Sequence, residues 1–273
     1  MKKILLSFVA VMVAFSAFAQ RQQQRSQVEY LTDENIFYSR NTDAYSLERC
    51  VLDVYFPKGA QDCPVIVWFH GGGLTSGNKF IPEQLKNRGY VVVAANYRLM
   101  PKVEVTECID DAAAAVAWVF DNARKYGGDP DNIYVSGHSA GGYLTSMIGL
   151  DKKWLEKYGK DADRLAALIP FSGQVMTHYE YRTRHGGEAL RPTIDDTAPI
   201  AHIRADGPPY VIVSGDREQE LYGRYEENAY MWRMMKLIGH EQTFIYELDG
   251  YSHGAMAEPA FHILRQYVKR RVD

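Results

Sequence analysis

The stretch Tyr134-Val135-Ser136-Gly137-His138-Ser139-Ala140-Gly141-Gly142 constrains the fold of this chain more than any other. An apolar run, Ile133 to Val135, leads into it, and a segment of mostly small residues, Ala140 to Leu150, leads out. That order predicts a buried strand, a tight turn and a helix, with Ser139 at the turn in the frame G-x-S-x-G. Such a turn strains the serine backbone and lifts its hydroxyl clear of the sheet. Glycines at 137 and 141 let strand and helix pass where a Cβ would clash. The helix start aims free N–H groups at any negative charge that develops beside the serine. The bland reading is a glycine-rich turn with no chemistry, so the rest of the chain has to decide.

Other motifs fall at strand ends. Val65 to Phe69 is a continuous apolar run, as in a strand covered on both faces, and it feeds His70-Gly71-Gly72-Gly73. Consecutive glycines suit a loop whose N–H groups approach a substrate oxygen. His70 reads as a brace for that loop and not as a proton carrier. Tyr90 to Ala95, Ala166 to Phe171, Pro209 to Ser214 and Gln242 to Leu248 read as further strands. Gly215-Asp216 and Gly250-Tyr251-Ser252-His253-Gly254 follow the last two. Helices are expected at Pro82 to Arg88, Val105 to Tyr126, Glu220 to Ile238 and Ala257 to Arg271. On the second of these, Asp110 and Asp111 read as a charged face with one buried anchor, not as an acid–base pair. The Met and aromatic stripe of the third (Met231, Trp232, Met234, Met235) reads as core. Upstream, Leu52, Val54 and Phe56 alternate with Asp53 and Tyr55, as one wet face of an edge hairpin would.

Alternating strands and helices predict an α/β fold, a mostly parallel central sheet with helices on both faces. In such sheets ligands bind beyond the carboxyl ends of the strands. His70 to Gly73, Ser139, Asp216 and His253 therefore converge on one rim. The irregular segment 173–208, crowded with Tyr179, Tyr181, Arg182, Arg184, His185 and Arg191, is long for a connection and reads as a small lid or a solvated loop.

A length of 273 residues with 46% hydrophobic content suits one domain with a large core. A net charge of −3 argues against a broad nucleic-acid surface. Residues 1–19 are set apart: Lys2 and Lys3, an apolar run from Ile4 to Phe15, and Ala17-Phe18-Ala19 before Gln20 form a secretory signal peptide. The run is short for a membrane span. A bacterial periplasmic or secreted protein follows, with no membrane anchor after cleavage. Residues 20–30 read as a flexible mature N-terminus, and 31–273 as the folded domain. Three cysteines leave at least one free thiol in a monomer. Cys50 and Cys63 are candidates for a disulfide across neighbouring strands, with buried thiols the alternative. No spacing suggests a metal, and no cofactor is implied.

A serine becomes a useful nucleophile when a base takes its proton, and a carboxylate fixes the tautomer of an imidazole base. Of the eight histidines, His253 lies in a loop after the final strand. His138 flanks the serine and is expected to point away. For the acid, Asp216 competes with Glu218, Glu220 and Asp249, and its place at a strand end favours it. Gly72, Gly73 and Ala140 can offer backbone N–H groups to an oxyanion.

On these residues, His70-Gly71-Gly72-Gly73, Gly137-His138-Ser139-Ala140-Gly141, Gly215-Asp216 and His253-Gly254, the chain from about Asp53 onward resembles the α/β-hydrolase superfamily. It is similar to the esterase branch with His-Gly-Gly-Gly before the nucleophile, the hormone-sensitive-lipase-like and bacterial feruloyl- or acetyl-esterase groups. The resemblance implies a carboxylic-ester hydrolase with a covalent acyl-enzyme, a triad Ser139, Asp216, His253, an oxyanion hole of Gly72, Gly73 and Ala140, and a small-molecule or carbohydrate ester as substrate. Asp216-Arg217-Glu218-Gln219-Glu220 lacks the proline of the lipase-like acid motif, which favours the carbohydrate-linked esterases. A serine peptidase of prolyl-oligopeptidase type and a non-catalytic binding protein are the competing readings.

Overall fold

The structure, a computed structural model, describes residues 28–221 and 223–272. The expected signal peptide and residues 20–27 lie outside them. The chain runs β1 (Tyr30–Phe37), α1 (Ala44–Arg49), β2 (Val51–Pro57), β3 (Cys63–Phe69), β4 (Val91–Ala95), α2 (Val105–Asn122), β5 (Gly128–His138), α3 (Ala140–Leu150), α4 (Lys153–Glu156), β6 (Ala167–Phe171), α5 (Tyr179–Arg184), β7 (Tyr210–Gly215), α6 (Arg224–Leu237), β8 (Thr243–Leu248) and α7 (Ala257–Val272). The strands form one sheet in the order β1-β2-β4-β3-β5-β6-β7-β8. β2 runs antiparallel to β1 and to β4, and every other neighbour pair is parallel.

Period-two alternation sorts the strand side chains between two cores. Val65, Val67 and Phe69 join α2, α3 and α6 on one face through Ile109, Val116, Tyr143, Met147, Met231 and Met235. Ile66 and Trp68 point to the other face, against Phe261, Leu264 and Val268 of α7. The apolar run of β3 is thus buried on both sides, as expected. Met231 and Met235 are core residues, also as expected. Asp111 is the buried anchor: it takes Arg98 Nε on Oδ2 and Nη2 on Oδ1, both at 2.8 Å. Asp110 meets Lys157 at the surface.

Three expectations need correction, and the open choice for Cys50 and Cys63 falls to the buried thiols. β1 and β2 form the antiparallel pair at the sheet edge, as expected, but the Asp53 and Tyr55 face is not wet: Tyr55 is buried and Asp53 is tied to Lys79 at 2.6 Å. β1 begins at Tyr30, inside the segment expected to be flexible. The helix expected from Pro82 to Arg88 is a single 3-10 turn, Glu83–Leu85. Cys50 and Cys63 are free and buried, as is Cys108. Cys50 follows α1 and Cys63 opens β3, and both pack as small apolar groups in the larger core. Among the described residues no helix is long and apolar enough to cross a membrane.

Candidate active site at the carboxyl ends of the strands

β5 enters a turn at Ser139, whose φ of 57° and ψ of −116° lie outside the regions open to most residues. Packing holds that strain in place. The Ser139 N–H donates to Phe171 O at the end of β6 (2.8 Å), and its carbonyl accepts from Tyr143 N (3.0 Å) as α3 begins. A Cβ on Gly141 would lie 2.1 Å from Phe69 O, so α3 can start here only because that position lacks one. Ala140 is the first residue of α3, so its N–H is among the donors with no intrahelical acceptor.

Phe69 hands the chain to the glycine loop. Gly72 has φ +112°, and its carbonyl accepts from Thr75 N and Ser76 N at 3.1 and 3.0 Å. A side chain there would strike Ser76 O, which holds the turn to glycine. His70 is buried beneath the loop. Its ring stacks on Tyr97 (centroids 4.5 Å apart) and its Nδ1–H donates to Gly71 O at 2.7 Å. Burial, offset in part by the Gly71 bond, lowers its pKa to about 4. A neutral, enclosed imidazole braces the loop, as the sequence suggested.

His253 sits in the loop between β8 and α7. Its Nδ1 lies 2.5 Å from Glu220 Oε1. A carboxylate only accepts, so Nδ1 carries the proton and Nε2 presents a lone pair. Glu220 is almost wholly buried and fully engaged. Leu221 N–H donates to Oε1 at 2.8 Å, and Ser172 Oγ–H and Gly215 N–H donate to Oε2 at 2.7 and 3.1 Å. Burial alone would raise this carboxyl; the hydrogen bond and charge of His253, then the bonds from Ser172 and Leu221, bring it down to about 2.

Asp216, the acid expected from sequence, faces peptide N–H groups instead of His253. Its carboxylate accepts from Gly250 N at 2.7 Å and Glu218 N at 2.8 Å, which lower its pKa. It ties the end of β7 to the turn after β8. Its carbonyl accepts Glu220 N at 2.8 Å, and this one turn of chain carries Glu220 back beneath His253. The expected helix from Glu220 begins only at Arg224, after Gly223 in a left-handed conformation. Glu220 therefore lies in the acid loop itself.

His138 packs against the candidate base. Its Nε2–H donates to His253 O at 2.8 Å, and the two rings lie 4.7 Å apart. Burial, then the charge of His253, lowers the pKa of His138 to about 4. The loop of His253 is thus seated on the turn that carries Ser139. Segment 173–208 reaches the same rim, since a Cβ on Gly73 would lie 2.9 Å from the Tyr179 hydroxyl. Tyr179 belongs to the aromatic cluster that the sequence marks as a small lid or solvated loop, whereas no sequence motif points to Ser172. The only signal for Ser172 is its place immediately after the β6 strand. Among the described residues no group of His, Cys, Asp and Glu side chains could hold a metal ion.

Known proteins share this fold. Thermogutta terrifontis esterase 2, solved with an organophosphate attached, superposes with a TM-score of 0.69 at 25% identity over 88% of this chain and 94% of its own. A truncated carbohydrate esterase from gut microbiota superposes with a TM-score of 0.74 at 17% identity, over 90% and 97%. The fold is that of the α/β hydrolases. Esterase LipC of Mycobacterium tuberculosis is 26% identical over 233 residues, 75% of this chain, which spans 56% of LipC. The BD-FAE family matches residues 52–223, a stretch that takes in the glycine loop, Ser139 and Glu220 and ends before His253. With that much of the domain matched, the chain belongs to the BD-FAE family.

Proposed function

We propose that this chain is an exported carboxylic-ester hydrolase that works through Ser139, His253 and Glu220, on acetyl or feruloyl esters of carbohydrates. The observation that carries the reading is the pairing of His253 Nδ1 with a buried carboxylate, in a loop seated on the turn of a strained serine. The names of its relatives point the same way: LipC and the Thermogutta protein are both esterases. Export rests on the pattern of residues 1–19. The carbohydrate preference rests on the departure of the acid motif from the lipase-like pattern. It fits a rim with the Tyr179 hydroxyl beside Gly73.

Ser139 Oγ attacks the ester carbonyl carbon while its proton passes to His253 Nε2. The resulting imidazolium is stabilised by Glu220 through Nδ1–H. The oxyanion faces the N–H groups of Gly72, Gly73 and Ala140, a contribution of roughly a hundred- to a thousandfold per donor. Collapse breaks the bond to the alcohol oxygen, which takes the proton from Nε2. Water then attacks the acyl-enzyme, giving its proton to the same nitrogen; the bond to Ser139 Oγ breaks, that oxygen takes the proton back from Nε2, and the acid leaves.

The test is hydrolysis of p-nitrophenyl acetate by wild type and Ser139→Ala. Activity is expected to vanish while the circular dichroism spectrum stays native. Retained activity would end the proposal. A series of acetyl, butyryl, octanoyl and feruloyl esters fixes the acyl preference, and peptide-amide cleavage exceeding ester cleavage would favour a serine peptidase instead.

A further inference from the structure

Ser172 is wholly buried, yet nothing in the ester chemistry above requires it. It follows β6 with φ +47°, a left-handed backbone that a side chain disfavours. Its surroundings enforce this. The Ser172 N–H donates to Val213 O at 2.7 Å, and its carbonyl accepts from Arg224 Nη1 at 2.5 Å. Arg224 in turn pairs with Glu227, and Glu227 Oε2 accepts from Val175 N and Met176 N. Asn228 Nδ2 holds Gly173 O at 2.9 Å. The first turns of α6 therefore clamp the segment on both sides of the strained residue.

The clamp aims the hydroxyl at the acid–base pair. Ser172 Oγ lies 2.7 Å from Glu220 Oε2 and 3.0 Å from His253 Nδ1. A hydroxyl has one proton and two lone pairs. The carboxylate can only accept, so it takes the Ser172 proton. The Nδ1–H, whose main acceptor is Glu220 Oε1, then faces a Ser172 lone pair as well. We propose that Ser172 is a positioning residue of the catalytic pair, fixing the Glu220 carboxylate and the His253 ring against each other through one shared hydroxyl. This rests on the reading of Ser139, His253 and Glu220 as the catalytic groups. It gives the left-handed backbone at 172 a purpose, since the clamped conformation holds the hydroxyl within hydrogen-bond reach of both partners. Ser172 itself forms and breaks no covalent bond.

The test uses Ser172→Gly in the full chain. Glycine accepts φ +47° without strain, so the fold is kept while the hydroxyl is lost. The expected result is a Tm equal to or above wild type, a kcat on p-nitrophenyl acetate lower by roughly 10- to 100-fold, and a KM within about twofold. The downfield proton resonance of His253 Nδ1–H should move upfield, a change that a merely structural role would not produce. Wild-type kcat in Ser172→Gly, or a lowered kcat with that resonance unmoved, would overturn the inference. The parallel Ser139→Ala assay separates the two proposals. An inactive Ser139→Ala beside a fully active Ser172→Gly removes only the role of Ser172, whereas an active Ser139→Ala removes the reading beneath it. Should Ser172→Gly lose its cooperative melt, Ser172→Ala, which keeps the native backbone demand, carries the same kinetic and resonance criteria.

Discussion

Two carboxylates four residues apart divide their work by what surrounds them. Glu220 faces the imidazole, whereas Asp216 faces peptide N–H groups. Glu220→Gln removes the acceptor that sets the His253 tautomer, and a loss of roughly a thousand- to ten-thousandfold in kcat is expected. Asp216→Asn keeps one oxygen acceptor for the loop and should cost less than about tenfold, an ordering steady-state kinetics on one ester would read directly. The reverse ordering would restore Asp216 as the acid. Residue types and strand-end placement point to Ser139 and His253. They could not separate Asp216 from Glu220, because the choice depends on a single turn of backbone. The carbonyl of Asp216 closes that turn on Glu220 N, a contact no side-chain pattern announces. The role of His138 is hidden for a similar reason. Its partner is a carbonyl 115 residues away, and only the folded loop brings it near.

At the level of elements, apolar runs and glycines carried most of the information. The strands from β3 to β8 and the long helix α2 were legible because burial on both faces, or on one helical stripe, writes itself into hydrophobic spacing. The start of α6 was not. Glu220-Leu221-Tyr222 carries no helix-breaking residue type, and the left-handed Gly223 just before Arg224 is what sets the start. The close passage of α3 under β3 was readable from Gly137 and Gly141, and it yields a stability prediction. Gly141→Ala would place a Cβ 2.1 Å from Phe69 O, an obstacle made of backbone that no rotamer can relieve. Destabilisation of about 3 kcal/mol is expected, or about 10 °C in Tm. An unchanged melting curve would mean that the strand–helix crossing is looser than described.

For the whole molecule, acid sensitivity follows from buried imidazoles. Burial lowers the pKa of His70 and His138 to about 4 and that of His178 to about 3. The unfolded chain binds protons at these positions near pH 6.5 and the folded chain does not, so stability falls as pH drops from 6.5 toward 4. Glu220 acts in a different window: its contribution is complete above the ordinary carboxylate range and is lost only as pH falls through about 2. Glu227, raised by burial, opposes the histidines above the ordinary carboxylate range, but it is one group against three. A Tm lower by about 10 °C or more at pH 4.5 than at pH 7 is expected, and a flat profile would contradict the burial of these rings. The segment over the rim has its own architecture. Thr177 N donates to Thr193 O at 3.0 Å and Asp195 N to Thr177 Oγ1 at 3.1 Å, so residues 178–192 leave and return through one narrow neck. Below that neck the stem is bolted to α6, beside the loop that bears Glu220. With the buried ring of His178 kept against Tyr143, a cassette bounded this way is a place to splice in a foreign sequence whose tips match the same gap. Under the proposed mechanism, that would retune which esters enter without touching Ser139, His253 or Glu220.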